Sequence, residues 1–150
     1  MVLSFSNGYI DIYYDNENNI GHINHYDAII SVDEARMLIR TRIDFIRKHK
    51  CNYLLVTMGR GTKYTKGAIN QVKMKRGYVG VKIIAIVVPY SSNVMVSLLN
   101  FMYPDNLKKR FGFLFKENKN HIKGKPVTKF FKKNNDAKKW IIEERKKYRS

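Results

Sequence analysis

The start of the chain alternates apolar and polar side chains with the period of a β-strand. Residues 9–14 and residues 20–26 both follow this period of two. The five residues between them, 15–19, are Asn, Asp and Glu, and Asn and Asp favour turns because they tolerate left-handed backbone and bond their own chain. We therefore predict a β-hairpin in which His22 and His25 lie on opposite faces of the second strand.

A helix is predicted to follow the hairpin. Ser31 and Glu34 have the spacing of a capping box, and apolar residues then recur three and four positions apart as far as Ile46. The basic segment Lys48–Lys50 suits the negative end of the helix dipole. The stripe predicts that one face of this helix packs on a sheet.

The rest of the chain alternates apolar runs with helical patterns. We predict strands over 52–58, 81–88 and 126–131, of which the second is apolar enough to be covered on both faces. Helices are predicted over 68–76, over 91–102 with a continuation at 105–115, and after an N-cap at Asn134 or Asn135. The order is β-β-α-β-α-β-α-β-α, which predicts one α/β domain over residues 1–150, with no linker inside it.

The charge of the chain is strongly positive and unevenly spread. The 150 residues include 29 basic and 12 acidic side chains, a net charge of +17. Residues 1–44 hold seven acids and three bases, whereas residues 45–104 hold ten bases and no acid. A field of this sign favours acidic proteins, anionic ligands or nucleic acid as partners.

Several of these elements together resemble the STAS/Sec14-like group of small bacterial proteins, which are related to anti-sigma-factor antagonists. They are the hairpin, the capped helix at 31–35, the strands at 52–57 and 83–88, and the pattern of Pro, paired Phe, Asp-Ala and Trp-Ile over 126–141. The resemblance implies a mixed four- to five-stranded sheet with helices packed mainly on one face. It also implies a non-enzymatic regulatory or interaction module that binds a protein or a small ligand.

One feature of that family does not carry over. In anti-sigma-factor antagonists a serine at the start of the helix after the third strand is phosphorylated. The corresponding loop here, residues 58–67, offers Thr62 and Thr65 and lacks the family's Asp-x-Ser-Gly. We leave open whether Thr62 or Thr65 is phosphorylated.

The sequence holds no recognisable catalytic, cofactor or metal motif. The glycine-flanked loop 59–67 fails the spacing of a phosphate-binding P-loop, although Gly67 leaves a generic anion site open. Ser91 and Ser92 lack the surroundings of a nucleophile, and no three ligands have the spacing of a zinc site. We predict that the protein is not an enzyme and has no cofactor.

Basic side chains interleaved with tyrosines between residues 60 and 78 are the best candidate binding site. Basic groups neutralise phosphates or carboxylates, and tyrosine rings such as Tyr64 and Tyr78 can stack on bases. A site for an anionic partner is predicted at Arg60, Lys63, Lys66, Lys73, Lys75 and Arg76. The alternative function is nucleic-acid binding through this basic face and the C-terminal helix.

The remaining predictions concern location, thiol chemistry and other partners. The first residues lack a basic start and a long apolar run, which predicts a cytoplasmic protein with no integral membrane association. A single cysteine, Cys51, fits a reducing compartment, and Lys50 beside it is expected to lower its pKa slightly. A homodimer, a lipid-holding apolar pocket and a membrane-seated Phe111–Phe115 segment stay open as alternatives.

Overall fold

The computed structural model describes residues 1–74, 80–88 and 126–148, apart from the side chains of residues 73 and 74. The first 74 residues form six strands, a long helix and a shorter helix. The described residues after them form two strands and a last helix that is followed by a 3₁₀ turn. In order the elements are β1 (Val2–Ser6), β2 (Ile10–Asp15), β3 (Ile20–His25), β4 (Ile29–Ile30), α1 (Val32–His49), β5 (Tyr53–Thr57), β6 (Lys63–Tyr64), α2 (Lys66–Met74), β7 (Ile83–Val87), β8 (Val127–Phe131) and α3 (Asn134–Glu144).

The main sheet has six strands in the order β1-β2-β3-β5-β7-β8. The first three strands pair antiparallel, and β3, β5, β7 and β8 pair parallel. The α/β class is therefore confirmed. The predicted number of four to five strands is wrong, because residues 2–6 add an edge strand to the predicted hairpin. A separate two-stranded sheet pairs β4 with β6.

Helices cover both faces of the main sheet. Residues of α1 and Ala68 of α2 share one apolar cluster with β2, β3, β5 and β7, whereas Trp140 and Ile141 of α3 belong to a second cluster on the other face. The prediction that the helices lie mainly on one face misses α3. In chain order, β3, β5 and β7 are added side by side toward the same edge of the sheet. Because crossovers between parallel strands are right-handed, α1 and α2 lie on the same face. The helix α3 follows the last strand, makes no crossover and is free to pack opposite.

The predicted helix after the hairpin is confirmed, together with its cap. The Ser31 backbone N–H donates to the Glu34 carboxylate at 3.1 Å, which completes the capping box. The helix ends at Lys50, which adopts a left-handed conformation with φ of 49° and follows the predicted basic turn. Arg42 and Phe45 join the apolar stripe among the buried positions of α1.

The final helix differs from its prediction at the N-terminus. It begins at Asn134, and the residue before it, Lys133, supplies no capping side chain. The Asn134 amide instead accepts a hydrogen bond from the Thr57 hydroxyl at 2.8 Å, which ties the start of α3 to the end of β5. The predicted cap at Asn134 or Asn135 is therefore wrong. The predicted helices over 91–102 and 105–115 lie outside the described residues.

Cys51 is buried where α1 turns into β5. Burial raises the pKa of its thiol to about 11, and the S–H donates to the Tyr53 carbonyl at 3.0 Å. The expectation that Lys50 lowers this pKa is wrong, because desolvation of the thiolate dominates.

We expect the Cys51 thiol to react with an aromatic disulfide reagent at neutral pH far more slowly in native protein than in urea. Only the thiolate attacks, and both burial and a pKa of about 11 suppress it. The measurement is the release of the reagent's chromophore over time. Equal rates in the two conditions would contradict a buried thiol.

A hydrogen-bonded basic loop as the candidate functional site

The candidate site is the connection between β5 and α2, residues 58–66, named here the basic loop. It carries Arg60, Lys63 and Lys66, all of which are exposed, and it contains no acidic residue. Three of the six predicted site residues therefore lie on one short segment. Lys73 belongs to α2, and Lys75 and Arg76 lie outside the described residues, so a common patch of all six stays a prediction.

The tip of the basic loop is a four-residue turn. The Thr62 backbone N–H donates to the Gly59 carbonyl at 3.3 Å, and the Gly59 N–H donates to the Thr62 hydroxyl at 2.9 Å. Arg60 occupies the outer corner of this turn. These two hydrogen bonds across the turn fix the backbone conformation at Arg60.

Two residues after β3 hold the turn in place. The buried Thr62 hydroxyl donates to the Tyr26 carbonyl at 2.8 Å. The Gly61 N–H donates to the Asp27 carboxylate at 2.8 Å. A Cβ atom at Gly59 would collide with the same carboxylate oxygen of Asp27. A side chain at Gly59 would therefore push the basic loop away from the segment after β3. The glycine serves close packing against Asp27.

The second half of the basic loop pairs with β4. The Lys63 N–H donates to the Ala28 carbonyl at 2.9 Å, and the Thr65 N–H donates to the Ile30 carbonyl at 3.0 Å. Thr65 then acts as the N-cap of α2, because its hydroxyl accepts from the Ala68 N–H at 3.2 Å. Gly67 lies in the first turn of α2, where a Cβ atom would stand 2.6 Å from Val32. Gly67 therefore serves close packing of α2 on the start of α1.

Tyr64 points inward from the basic loop. It is partly buried against the core, and its hydroxyl lies 2.9 Å from Nε2 of the buried His25. The other ring nitrogen of His25, Nδ1, lies 3.3 Å from the Thr57 carbonyl oxygen. Because a carbonyl only accepts, Nδ1 carries the proton, Nε2 accepts and the Tyr64 O–H donates. The Tyr64 hydroxyl is therefore bonded inside the protein while its ring is only partly buried, and the Tyr78 ring lies outside the described residues, so stacking of these rings on bases stays a prediction.

His25 is held in its neutral form. Burial first, and then the positive charge of Arg42, lower its pKa from 6.5 to about 3, against a smaller opposing effect of the Thr57 carbonyl. The neutral imidazole therefore joins the ends of β3 and β5 to the basic loop through Tyr64. Because His25 is buried, its role is to support the basic loop from inside the protein.

Thr62 and Thr65, the two candidate phosphorylation sites, differ in exposure. Thr62 is 1% exposed, and its hydroxyl already makes two hydrogen bonds. Thr65 is exposed, although its hydroxyl caps α2. A phosphate on Thr62 would require the turn to open, whereas Thr65 keeps an accessible side chain.

The electrostatics of the start of α2 are unusual for a helix. Its first turn contains no acidic residue, and its first residue is Lys66. A cation at this end of a helix opposes the helix dipole and costs about 0.3–1 kcal/mol at an exposed position. An anion near the loop would be attracted both by the lysine and by the dipole.

The histidines do not form a metal site among the described residues. His22 and His25 lie on opposite faces of β3, as predicted, and no three His, Cys, Asp or Glu side chains of residues 1–74, 80–88 and 126–148 lie together as metal ligands. His22 is buried near Asp15, whose carboxylate pairs with Lys138 at 3.2 Å. Burial by itself would raise the pKa of Asp15. Hydrogen bonds from Asn18 and the ion pair with Lys138 outweigh burial and lower this pKa to about 2.

Comparisons with known proteins returned no match. No protein-family model matches the chain, and no curated protein and no solved structure is significantly similar to it. No helix within the described ranges combines the length and apolarity that crossing a membrane requires.

Sequence reasoning located the basic side chains of the loop but not the residues that position them. Asp27 and the Tyr26 carbonyl lie more than thirty positions before their partners in the chain. Patterns within a few neighbouring residues cannot predict contacts at that separation. The only available signal was the Gly-x-Gly-Thr segment at 59–62, which is typical of a tight turn.

Proposed function

We propose that the protein is a non-enzymatic, STAS-like interaction module that binds an acidic protein partner or an anionic ligand through Arg60, Lys63 and Lys66 of the basic loop. The observation that carries this proposal is the set of hydrogen bonds that immobilises the loop while its three basic side chains stay exposed.

Pre-organisation is the physical reason why the bracing favours binding. A mobile loop loses conformational entropy when a partner orders it, and that loss weakens association. The turn at 59–62 and the pairing of β4 with β6 have already fixed this backbone. Binding then has to order only the long side chains of Arg60, Lys63 and Lys66.

Charge supplies the selectivity of the proposed site. The stretch 45–104, which includes the whole basic loop, has ten basic and no acidic side chains. Such a field accelerates association with negatively charged partners and is screened by salt over about 8 Å at physiological ionic strength. We therefore expect binding to weaken as salt rises.

Nucleic-acid binding is the second candidate function, and one observation favours it. Beyond the basic loop, Lys139 is exposed on α3, Lys146 is exposed on the 3₁₀ turn that follows it, and Lys133 is exposed just before the helix. Phosphate contacts need only such cations, without base stacking. Because the Tyr64 hydroxyl lies against the buried His25, this second function is supported by the exposed cations alone, which makes it the less supported of the two functions.

The proposal predicts that removing three charges from the basic loop weakens binding to an acidic probe. We expect the R60Q/K63Q/K66Q variant to bind a fluorescent poly-glutamate peptide about tenfold more weakly, since each exposed charge contact contributes roughly 0.2–1 kcal/mol. The matched control is R40Q/R47Q/K48Q, which removes three exposed charges from α1. Fluorescence anisotropy at low and physiological salt measures both.

Equal losses in the two variants would contradict the proposal, because net charge alone would then account for the binding. Titration of a labelled single-stranded oligonucleotide separates the second candidate. Tighter binding of the oligonucleotide than of the peptide, weakened by K139Q/K146Q more than by the loop variant, would replace the first function by the second.

A further inference from the structure

Within the described ranges, the strand β1 leaves one edge of the main sheet open. It stands first in the strand order and pairs only with β2 among the described strands. The outer backbone N–H and C=O groups of a strand with a single neighbour can pair with another strand. An edge of this kind specifies its partner more closely than an apolar patch does, because the partner has to present an extended backbone.

The side chains of β1 lack most of the features that block such pairing. Residues 1–10 contain no charged side chain and no proline, in a chain of which 27% of residues are charged. Met1, Val2 and Leu3 are 73%, 69% and 52% exposed, and they are half of the exposed large hydrophobic residues in the described chain. Edge strands are usually protected by lysines, proline or a covering element. In the part of the chain that the structure describes, the one protective feature is a bulge between Leu3 and Phe5.

We propose that the chain forms a twofold-symmetric dimer in which β1 pairs antiparallel with β1 of a second copy. Centring the five-residue strand on Ser4, the residue that the bulge leaves without a partner on β2, pairs β1 with its copy over the whole length of the strand. The two six-stranded sheets would then join into one sheet across the axis. The same surface is used by both copies, as a closed twofold interface requires.

Charge indicates β1, and not β8, as the edge through which a second copy can pair. Two molecules of net charge +17 repel each other wherever their basic surfaces meet. The opposite edge strand, β8, contains Lys129 and is followed by Lys132 and Lys133, so pairing through β8 would bring lysines together. Pairing through β1 brings together two uncharged strands from the segment of residues 1–44, whose net charge is −4.

The geometry of the joined sheet also separates the basic halves. At about 4.8 Å between neighbouring strands, the two β8 strands of a twelve-stranded sheet lie roughly 50 Å apart. That distance is several times the screening length of about 8 Å at physiological ionic strength. The β1 edge is therefore the place where this basic chain can meet its copy with little electrostatic cost.

The structure offers a matched pair of substitutions for the test. Val2 on β1 and Ile29 on β4 are both aliphatic, β-branched and 69% exposed. We expect V2K to weaken dimerisation about tenfold. The twofold symmetry places one lysine of each copy at the interface, and the unfavourable energies of the two cross-strand pairs add together. I29K adds the same charge away from β1 and should dimerise like the unmodified chain. Sedimentation velocity over a wide range of protein concentration measures the dimer fraction.

Cross-linking tests the register independently of charge. In the proposed dimer the two Ser4 Cα atoms lie about 4.5–5.5 Å apart, within the range that a disulfide spans. We expect S4C to form a covalent dimer on mild oxidation, and I29C to stay monomeric. The single natural cysteine, Cys51, is buried and does not compete.

Three results would overturn the proposal. The first is a monomer at every concentration. The second is equal weakening by V2K and I29K, which would make the effect one of net charge. The third is a dimer in which S4C fails to cross-link and V2K has no effect, which would place the interface elsewhere. Circular dichroism melts of V2K and I29K confirm that both variants are folded, since both side chains are exposed.

Discussion

Lowering the pH from 7 to about 4.5 is expected to destabilise the native protein by about 3 kcal/mol through His25 alone. In the folded chain burial and the Arg42 charge depress the His25 pKa to about 3, whereas the unfolded chain has the ordinary value of 6.5. Each pH unit between these two values removes about 1.4 kcal/mol of stability. The loss over the whole interval is therefore about 5 kcal/mol.

The sign follows from the proton that the unfolded state binds. Between the two pKa values the unfolded imidazole is protonated and the buried one is not, so acid favours unfolding. The His25 contribution is complete above pH 6.5 and disappears as the pH falls toward 3. Burial also lowers the pKa of His22 and His49, which adds to the effect in the same direction. Asp15 acts at lower pH, because its pKa falls from 3.8 to about 2.

Urea unfolding at a series of pH values measures this dependence. The H25Q variant keeps an amide donor and acceptor near Tyr64 and Thr57 but does not titrate. We expect its free energy of unfolding to be lower than that of the parent at pH 7 and to change much less between pH 7 and about 4.5. Parallel curves for the parent and H25Q would show that the His25 pKa is the same in the native and unfolded states and would contradict the lowered pKa of a buried, neutral imidazole.

The second large effect is expected for Thr62→Val, which removes a buried hydroxyl while keeping the shape of the side chain. The Gly59 N–H and the Tyr26 carbonyl each lose their partner. An unsatisfied buried group costs roughly 1–3 kcal/mol, so we expect a destabilisation of that size in urea. Because the same bonds brace the turn that carries Arg60, we also expect weaker binding of the poly-glutamate peptide.

Thr62→Ser is the matched control for this prediction. It keeps both hydrogen bonds and removes one methyl group, which costs about 0.8 kcal/mol of apolar burial. We expect its peptide affinity to equal that of the parent. Full peptide affinity in T62V would show that bracing of the loop does not contribute to binding, even if the protein were destabilised.

The hairpin, the capped helix α1 and the strands β5, β7 and β8 could be predicted because their signals are local. The alternation of residues 9–14 and 20–26, the Ser31–Glu34 pair and the apolar run before Val88 all act over a few positions. The strand count failed at β1, because an uncharged edge strand of five residues acquires its structure only by pairing with β2.

The candidate site divides in the same way. The basic side chains Arg60, Lys63 and Lys66 are evident from composition, and the glycines predicted a turn between them. The bracing by Asp27 and the inward position of Tyr64 depend on contacts with residues far away in the chain. Local patterns cannot report such contacts.

By itself the sequence determined an α/β fold with a large positive charge and the identity of most of the described helices and strands, because hydrophobic period, caps and turn residues act between near neighbours. Only the tertiary structure decided that α3 covers the second face, that β1 is an edge strand with one partner among the described strands and that His25 lies neutral beneath the basic loop. Each of these depends on which distant segments meet and on how much water they exclude, and burial and pairing of that kind exist only once the chain has folded.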